Sequence, residues 1–361
     1  MSIIRRLVED SAATNPITLS VLVPARNEEA SLGDCLASLT AQSEDGWQLG
    51  SDWELIVIND GSTDATRAIA AGYAGVTVLD AAAPPKGWTG KANALWTGTK
   101  VAQGAWLLFT DADTVHEPGN LRRALHEAEK YKAAMLSYSP RQIVSGFWQR
   151  ALMPLVFSEL ALAYPPAKVS DPESRLAAAN GQFLLVERDA YFKLGGHEAV
   201  AASVLEDVDL AFLFKRRKLG LRFRYAPDAL STRMYRSFGQ MWEGWTKNLA
   251  LLFANPLVLA AWRLLDLGLL ILLPLLALYF AAPLSPATPW ITARLVLLLI
   301  WARTLWRIYR RVARSHFPAL DVALSIFGLP LFAVLLIRSW FHHTVKKRVI
   351  WKGRDYESRP R

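Results

Sequence analysis

The chain has 361 residues, with 41 Lys and Arg, 32 Asp and Glu, and a single cysteine. Residues 257–361 carry 15 basic and 4 acidic side chains, whereas the first 256 residues carry 26 and 28. A basic C-terminal third beside a nearly neutral remainder argues against a nucleic-acid partner. One cysteine excludes an intrachain disulfide and a cysteine-based metal site.

The N-terminal residues 1–16 lack the apolar core and the cleavage site of a signal peptide. We therefore expect the domain that follows to stay in the cytosol. Cys35 lies in "ASLGDCLASL", where the apolar spacing predicts a helix. That spacing favours a packed core cysteine over a catalytic nucleophile.

From residue 17 onward, short apolar runs rich in β-type residues alternate with helical stretches. Strands are predicted at "ITLSVLVPA" (17–25), "WELIVIND" (53–60), "VTVLDA" (76–81) and "AWLLFTDAD" (105–113). The alternation indicates βαβ units and a mostly parallel sheet. Ligands bind beyond the carboxyl ends of such strands, so the polar groups at 24–27, 59–62 and 111–113 are expected at one edge.

Two carboxylates follow the fourth predicted strand. Asp111 and Asp113 at positions i and i+2 of a continuing strand would share a face and repel each other without a nearby cation. Mg²⁺ or Mn²⁺ takes oxygen ligands and typically bridges one or two carboxylates to phosphates. The pair alone also fits a hydrated turn or a helix cap, but Asp60 in "NDGSTD" at a neighbouring strand end favours a metal site.

Several motifs, in order along residues 17–225, carry a family resemblance. They are "VLVPARNEE", "ELIVINDGSTDAT", "GKANAL", "LLFTDADT", "NGQFLLVERDAYFKLGG" and "VLEDVDLAFLFKRRKLG". The chain resembles the family 2 glycosyltransferases with the GT-A nucleotide-sugar fold. The resemblance implies an α/β fold with a mostly parallel mixed sheet flanked by helices. It also implies a nucleotide-diphospho-sugar donor (most often a UDP-sugar), a divalent metal, and inversion at the anomeric carbon.

The resemblance assigns donor and metal roles residue by residue. The end of the first strand and Asp60 contact the base and ribose, and Lys91 lies near the base or diphosphate. Asp113 ligates Mg²⁺ or Mn²⁺, while Asp111 beside it holds the ribose or metal-bound water. The donor-binding residues are Pro24, Ala25, Arg26, Glu28, Asp60, Lys91, Asp111, Asp113 and Lys247.

Asp207 in "LEDVDL" matches the family's catalytic base. A carboxylate in a desolvated site can take the acceptor's proton. The alternative is an N-cap or first-turn acid of the helix that follows, but Glu206, Asp207 and Asp209 together exceed what a cap requires, which favours catalysis. The residues assigned to the acceptor side are Gly181, Gln182, Gly196, Glu206, Trp242 and Trp245. His197 is either an acceptor contact or a loop histidine with its hydrogen bonds satisfied.

Three further stretches narrow the resemblance: "PPKGWTGKANAL" (84–95), "RMYRSFGQMWEGWTKNLA" (233–250) and "VIWKGRDY" (349–356). They resemble membrane glycosyltransferases that act on isoprenoid lipids, including the carotenoid (4,4′-diaponeurosporenoate) and hopene-associated enzymes. The second stretch predicts an amphipathic interfacial helix, with Lys247 over the diphosphate and the tryptophans towards an apolar acceptor. Residues 146–166 are either an interfacial helix at the acceptor entrance or a core helix under the sheet.

The C-terminal third contains long apolar runs. Residues 267–282 are uncharged and, with the residues before them, are long enough to cross a bilayer core of roughly 30 Å. Arg263 and Asp266, three residues apart, could pair near the membrane boundary. The run 321–337 is broken by Gly-Leu-Pro at 328–330, and the segment between the two runs is interrupted by arginines. A soluble helical domain is the alternative.

Charge asymmetry predicts the topology. Residues 283–293 carry no charge and "RTLWRIYRRVARSH" holds five arginines, so the first two segments form an in-out-in hairpin. The basic tail also favours the cytosol, so a re-entrant or interfacial hairpin bent at 328–330 is expected for 319–341. Trp and Tyr residues flank the runs, as interfacial belts require. The protein is expected at the cytoplasmic membrane with its catalytic domain in the cytosol.

The predicted domains are the N-terminal segment 1–16, the GT-A catalytic domain 17–232, an amphipathic segment 233–256, membrane helices 257–341 and a basic tail 342–361. The predicted function is transfer of one sugar to an isoprenoid-type lipid. The alternatives are a polyprenyl-phosphate or ceramide-type transferase, a polysaccharide synthase, and a non-enzymatic scaffold.

Two departures from the family pattern bear on those alternatives. Many relatives place a transmembrane segment before the catalytic domain, and no such segment is seen here. The polysaccharide synthases carry Gln-x-x-Arg-Trp, where this chain has Gln240-Met-Trp-Glu-Gly-Trp245. About two uninterrupted membrane spans are also too few to form a pore for an exported polymer. A scaffold would have lost the carboxylates, but Asp60, Asp113 and Asp207 are present.

Overall fold

The computed structural model describes residues 17–42, 46–280 and 288–357. The predicted N-terminal segment 1–16 and the last four residues of the predicted tail lie outside these ranges. The chain divides into two compact units. The first comprises the chain up to Arg141 together with Pro166–Thr232, and the second comprises Gln142–Pro165 together with Arg233–Arg361.

The described strands are β1 Leu19–Ala25, β2 Trp53–Asn59, β3 Val76–Asp80, β4 Trp106–Phe109, β5 Thr114–His116, β6 Met135–Ser139, β7 Arg141–Gln142, β8 Leu184–Glu187, β9 Leu221–Tyr225, β10 Leu230–Thr232, β11 Arg348–Trp351 and β12 Arg354–Glu357. The described helices are α1 Leu32–Thr40, α2 Thr66–Ala71, α3 Gly90–Thr99, α4 Asn120–Lys130, α5 Gly146–Ala163, α6 Pro166–Ser170, α7 Arg188–Lys193, α8 Glu206–Arg216, α9 Phe238–Leu252, α10 Pro256–Tyr279, α11 Thr288–Val312, α12 Ala319–Leu324 and α13 Leu329–Phe341.

The first unit is built on a seven-stranded sheet in the order β3-β2-β1-β4-β8-β6-β9. The pairs β2–β3, β1–β2, β1–β4 and β6–β9 are parallel, and β8 runs antiparallel to both of its neighbours. A second, small pairing joins β10 to β5 in antiparallel fashion. The predicted mixed, mostly parallel sheet flanked by helices is therefore confirmed.

Burial explains why β1 and β2 read as continuous apolar runs rather than alternating ones. Six of the seven residues in each strand are buried, because both faces of a parallel sheet are covered by other elements. Helix α1 packs its apolar face into this core, where Leu36 and Cys35 are both fully buried. The expectation that Cys35 is a core residue is confirmed.

Strand β4 ends earlier than the sequence predicted. Its parallel ladder with β1 stops at Phe109, and the N–H of Thr110 makes the next hydrogen bond, 3.1 Å long, to the carbonyl of Leu22. Asp111 and Asp113 therefore lie in a turn between β4 and β5 and not on a continuing strand. The prediction of a strand through Asp113 was wrong, because the side chain of Thr114 closes the turn by donating to the carbonyl of Asp111 at 2.7 Å.

The second unit is a helical assembly with its own apolar core. Helix α5 supplies residues such as Leu152 and Val156 to this core, α9 supplies Trp245 and Leu249, and α13 supplies Phe332 among others. Residues 146–163 therefore form a core helix of the second unit. The short hairpin β11–β12 completes the unit.

Two helical stretches, Pro256–Tyr279 and Ala319–Lys346, are long and apolar enough to cross a membrane, judged by length and composition alone. The hairpin reversal predicted at 328–330 was wrong, because the backbone stays helical: α12 continues through a 3₁₀ turn, Ser325–Gly328, into α13, with φ −80° and ψ −15° at Gly328 and φ −53° and ψ −50° at Leu329. Pro330 falls in the first turn of α13, where its missing N–H costs no helical hydrogen bond.

Helices α10 and α11 expose much of their apolar surface within the second unit. On α10 the exposed side chains include Leu272, Leu275 and Leu278, and on α11 they include Leu295 and Leu299. On α10 these leucines recur at every third position, so they lie along one side of the helix.

Candidate active site

The loops after β1 and β2 are tied together at the carboxyl edge of the sheet. Ala25 and Asn59, the last residues of the two strands, are in register. The N–H of Asp60 donates to the carbonyl of Ala25 at 2.9 Å, and the Arg26 guanidinium donates to the carbonyl of Asp60 at 2.8 Å. Glu28 follows in the same loop, its N–H donating to Thr66 Oγ1 at 2.7 Å. The structure thus brings Pro24, Ala25, Arg26, Glu28 and Asp60 to one edge.

A buried polar network supports the turn that carries the two aspartates. His116 Nε2 lies 3.1 Å from Thr110 Oγ1 and 3.2 Å from Thr114 Oγ1, and its Nδ1 lies 3.1 Å from Asn120 Nδ2. Burial lowers the pKa of His116 from 6.5 to about 3, so the imidazole is neutral at physiological pH. Sequence reasoning missed this network; the polar residues around "TDADTVH" were the available signal.

Lys91, on the first turn of α3, connects the aspartate turn to helix α8. Its Nζ lies 2.8 Å from Asp111 Oδ1 and 3.0 Å from Glu206 Oε1. Burial alone would lower the pKa of Lys91, but Asp111, Glu206 and Asp207 together raise it well above 10.5. Thr89 fixes the start of α3 by accepting a hydrogen bond from the N–H of Ala92 at 3.2 Å. We call Lys91, Asp111, Glu206 and Asp207 the acid–lysine cluster.

Asp207 is not the N-cap of helix α8, which is Leu205, but it does lie in the first turn of that helix with Glu206 and Asp209. Its Oδ2 accepts a hydrogen bond of 2.7 Å from the N–H of Gly181, and its Oδ1 accepts one of 2.8 Å from the N–H of Val208. Burial and the neighbouring Glu206 carboxylate raise the pKa of Asp207 from 3.8 to about 6. A carboxyl group with that pKa is poised to accept a proton near neutral pH.

Gly181 lies so close to the acid–lysine cluster that any side chain there would displace the Lys91 ammonium group. A Cβ there would stand 2.8 Å from Lys91 Nζ and 3.4 Å from Asp207 Oδ2. Because Gly181 has no side chain, its backbone N–H can reach Asp207 while the Lys91 ammonium group lies next to its Cα. The sequence placed Gly181 on the acceptor side but did not reveal this close approach.

The donor set at the aspartate turn fits a hard divalent cation. Within residues 17–42, 46–280 and 288–357, no group of three or more His, Cys, Asp or Glu side chains is placed to hold a metal ion by itself. Two carboxylates suffice where substrate phosphates complete the coordination, as Mg²⁺ sites usually require. Asp111 already holds a cationic group, the Lys91 ammonium, at 2.8 Å. Asp111 and Asp113 are the residues that would hold the metal.

Three residues on or near the predicted acceptor side are occupied by contacts within the chain. Gln182 is 3% exposed, and its Nε2 donates to Thr232 Oγ1 at 3.2 Å. His197 is 1% exposed, its Nδ1 lies 2.8 Å from the Tyr191 hydroxyl, and burial lowers its pKa to about 4. Gly196 has φ +52° and packs so tightly that a Cβ would stand 2.5 Å from the Tyr191 ring. Of the two interpretations of His197, the structure supports the satisfied loop histidine, and the positions of Gln182 and Gly196 add no support to an acceptor role.

Lys247, Trp242 and Trp245 lie on α9 in the second unit. Trp245 is 2% exposed, and its indole N–H donates to Met153 Sδ at 3.4 Å, so it is a core residue of that unit. Trp242 is partly exposed, with the Arg338 guanidinium 5.2 Å from its ring. The ammonium group of Lys247 lies 4.7 Å from the ring of Trp351. Partial exposure leaves Trp242 accessible, whereas Trp245 is covered by its neighbours.

Comparisons with known proteins agree with this architecture. Residues 20–187 match the family model described as Glycosyl transferase family 2. Two relatives named 4,4'-diaponeurosporenoate glycosyltransferase, from Staphylococcus aureus strains MRSA252 and USA300, are 27% and 26% identical over 349 residues. Each alignment covers 95% of this chain and 89% of the relative.

One solved structure is similar over most of its length. It is the mannosyltransferase PcManGT from Pyrobaculum calidifontis in complex with GDP-Man and Mn²⁺, which is 16% identical with a TM-score of 0.49. The match covers 95% of this chain and 93% of that structure.

The family match spans β1, β2, α3, β4, the aspartate turn and β8, so it includes Lys91 and Asp111 of the acid–lysine cluster, whereas Glu206 and Asp207 on α8 follow the matched residues. The resemblance predicted from the motifs is therefore confirmed: residues 20–187 match the family 2 glycosyltransferases, and the chain is a glycosyltransferase similar to the carotenoid glycosyltransferases.

Proposed function

We propose that the protein is a membrane-bound, inverting glycosyltransferase that moves one sugar from a nucleotide-diphospho-sugar, such as a UDP-sugar, to an isoprenoid-type lipid. The observation that carries the proposal is the Asp207 carboxylate. It is held by the N–H of Gly181, has a pKa of about 6, and belongs to a cluster that reaches the aspartate turn through Lys91.

In this proposal Asp207 is the general base. The acceptor oxygen attacks C1 of the sugar while its proton passes to Asp207, and the bond between C1 and the diphosphate oxygen breaks with its electrons leaving on the diphosphate. Attack from the face opposite the leaving group inverts the anomeric carbon. The hydrogen bond from Gly181 keeps the carboxylate oriented, so little reorganisation is needed when the proton moves.

The donor would bind along the carboxyl edge of the sheet. Asp60 and Arg26, which are joined by a 2.8 Å hydrogen bond, would contact the base and ribose of the donor. Lys91 would place positive charge beside the diphosphate. Asp111 and Asp113 would hold a Mg²⁺ or Mn²⁺ ion, which would neutralise the charge that develops on the departing diphosphate.

The lipid acceptor and the membrane location rest on the second unit. Its helices α10 and α11 expose leucines in a contiguous apolar surface, and two stretches are long enough to cross a bilayer. The relatives named for carotenoid substrates align over 95% of the chain, which includes this unit. An apolar, membrane-dissolved acceptor suits an enzyme with this surface, at the cytoplasmic membrane with its catalytic unit in the cytosol.

The experiment is a donor screen with the full-length protein in detergent, Mg²⁺ or Mn²⁺, and a panel of nucleotide sugars. Release of nucleoside diphosphate is measured with and without an isoprenoid lipid extract. The variants are Asp113→Ala and Asp207→Asn. The matched control is Asp189→Asn, an exposed acid in the first turn of α7 in the same unit.

Release from one donor that rises with lipid, and is lost in both site variants but not in the control, supports the proposal. Long polymer formed without added lipid would favour a polysaccharide synthase. Transfer to a polyprenyl phosphate or a ceramide but not to a carotenoid-type acceptor would favour that alternative. Turnover unaffected by Asp207→Asn would contradict the assignment of the base.

A further inference from the structure

Helices α10 and α11 pack side by side and run in opposite directions. The indole N–H of Trp301 donates to the carbonyl of Leu270 at 3.1 Å, and further along α11 the guanidinium of Arg307 pairs with Asp266 on α10. The next arginine on the same face of α11, Arg311, donates to Glu159 of α5 at 3.2 Å. Residues of increasing number along α11 therefore contact residues of decreasing number along α10. Helix α5 contributes Glu159 to the same contact region.

Five charged side chains from these three helices form one ion-paired cluster. Arg263 reaches Glu159 Oε1 at 3.2 Å and Asp266 Oδ2 at 3.1 Å, which confirms the predicted pairing of Arg263 with Asp266. Arg307 and Arg311 pair with the same two carboxylates from the other side. We call Glu159, Arg263, Asp266, Arg307 and Arg311 the arginine cluster.

The arginine cluster holds one more positive charge than negative. Its two carboxylates and Arg263 are almost completely buried, with side chains 1–8% exposed, whereas those of Arg307 and Arg311 are 51% and 37% exposed. Both carboxylates are therefore buried and already paired with arginines. The exposed edge of the cluster, which we call the rim, presents the guanidinium groups of Arg307 and Arg311. The excess positive charge is thus carried by two exposed guanidinium groups, which favour an anionic partner.

The surface around these two arginines carries large apolar side chains together with further basic ones, among them Arg310, whose guanidinium lies 5.0 Å from the ring of Trp306. Next to the cluster on α10, Leu264 and Leu265 are 45% and 48% exposed, and on α11 Leu299 and Trp306 are 69% and 59% exposed. Exposed leucines with a tryptophan beside arginines are typical of the boundary between lipid tails and headgroups. The apolar surface and the cationic rim together match a molecule with an acyl chain and an anionic head.

We propose that Arg307 and Arg311 form a binding site for the phosphate headgroup of an anionic phospholipid in the bilayer. The proposal rests on the membrane location put forward under the proposed function. A guanidinium offers paired N–H donors that match phosphate oxygens, and basic pockets between membrane helices bind such headgroups.

The test uses the full-length protein in a neutral detergent, titrated with dioctanoyl phosphatidylglycerol or, for comparison, dioctanoyl phosphatidylcholine. A lipid that binds the folded state raises the thermal midpoint in a saturable way, from which an apparent Kd is obtained. The wild type should be stabilised by phosphatidylglycerol and much less by phosphatidylcholine. Equal stabilisation by both lipids would overturn the proposal.

Two double variants separate the site from general basic charge. Arg307→Gln with Arg311→Gln should weaken the apparent Kd for phosphatidylglycerol at least about tenfold, a loss of about 1.4 kcal/mol. Arg303→Gln with Arg314→Gln removes the same charge from exposed positions of the same helical segment and should stay within about threefold of wild type. An equal loss in both double variants would show diffuse attraction and contradict the site.

A third variant keeps the test decisive if the arginine variant does not fold. Glu159→Gln keeps the size of the buried side chain but raises the excess positive charge, so binding of phosphatidylglycerol should become tighter. Unchanged or weaker binding would contradict the proposal. Lipid binding needs neither donor nor metal, so loss of sugar transfer with lipid binding intact would contradict only the proposed function, and the reverse result only this inference.

Discussion

The backbone N–H of Gly181 donates a 2.7 Å hydrogen bond to Oδ2 of Asp207. The two residues are far apart in sequence, one in the loop before β8 and the other in the first turn of α8. Their contact fixes a buried carboxylate from a position that has no side chain of its own. The orientation of the proposed base therefore depends on backbone geometry, and this makes it testable by small substitutions.

Asp207→Asn should lower kcat by about 10²–10⁴-fold towards a hydroxyl acceptor, because a positioned base typically contributes that much. In the wild type, kcat should rise as the pH passes about 6, where Asp207 loses its proton, and level off above it. The measurement is a pH–rate profile from pH 5 to 8. An acceptor that is already ionised, such as a phosphate, would leave the variant active and remove the limb near pH 6.

The same substitution should make the folded protein more stable at alkaline pH. The pKa of Asp207 is about 6 in the folded state and 3.8 ordinarily, so between these values the folded state binds more protons than the unfolded state. Stability is therefore lost as pH rises through this window. Asp207→Asn, which carries no charge, should raise the thermal midpoint by a few degrees at pH 8 and by much less at pH 4. A lower midpoint at pH 8 would mean that Asp207 stabilises the fold.

Gly181→Ala should reduce activity at least about tenfold while the protein remains folded. The new Cβ would stand 2.8 Å from Lys91 Nζ, so the ammonium must move away from Asp111 or Glu206. Displacing a positioned group by about 1 Å can cost two orders of magnitude in rate. Steady-state kinetics with a thermal melt checks this.

The matched control for that substitution is Gly33→Ala in α1, where a Cβ has only Tyr73 Oη nearby, at 3.9 Å. It should change neither activity nor the thermal midpoint by much, since alanine is the better helix former. If both variants lost the same activity, crowding of Lys91 would not be the cause.

Removal of divalent cations with a chelator should abolish sugar transfer, and Mn²⁺ or Mg²⁺ should restore it. Asp113→Ala should shift the metal concentration needed for half-maximal activity upward or abolish activity. Asp189→Asn should leave that concentration unchanged. Full activity in the chelator would show that Lys91 alone neutralises the departing diphosphate.

Cys35 should resist alkylation in the native protein and react only after unfolding. It is fully buried, and burial raises the pKa of its thiol to about 12, so the reactive thiolate is scarce at neutral pH. Incubation with iodoacetamide in increasing urea, followed by mass spectrometry, should show labelling that follows unfolding. Rapid labelling without denaturant would place the cysteine at an accessible site.

The parts of the fold that depend on local patterns could be predicted from the sequence. Buried strands are recognisable as apolar runs between turn residues. The helical spacing of the apolar residues around Cys35 likewise predicts that it lies in the core. The pairing of Arg263 with Asp266 follows from their separation of three residues on a helix. Each of these signals involves near neighbours in the chain.

The remaining features depend on contacts between distant segments, which the chain order does not encode directly. Lys91 joins Asp111 and Glu206 only because α3 and α8 are brought to the same edge of the sheet. Trp242 and Trp245 look alike in sequence, but their different directions from α9 leave one partly exposed and bury the other. At Gly-Leu-Pro the chain does not reverse but passes through a 3₁₀ turn, Ser325–Gly328, that joins α12 to α13.

The discontinuous second unit affects how the protein is made and cut. Helix α5 is synthesised long before α9 and α13, so its apolar side chains, among them Leu152 and Val156, lack their final partners until the C-terminal helices emerge. A truncation at Thr232 would leave this helix permanently without them and invite aggregation. A soluble catalytic fragment therefore requires α5 to be removed or recoded, and a simple stop codon after the sheet would not produce one.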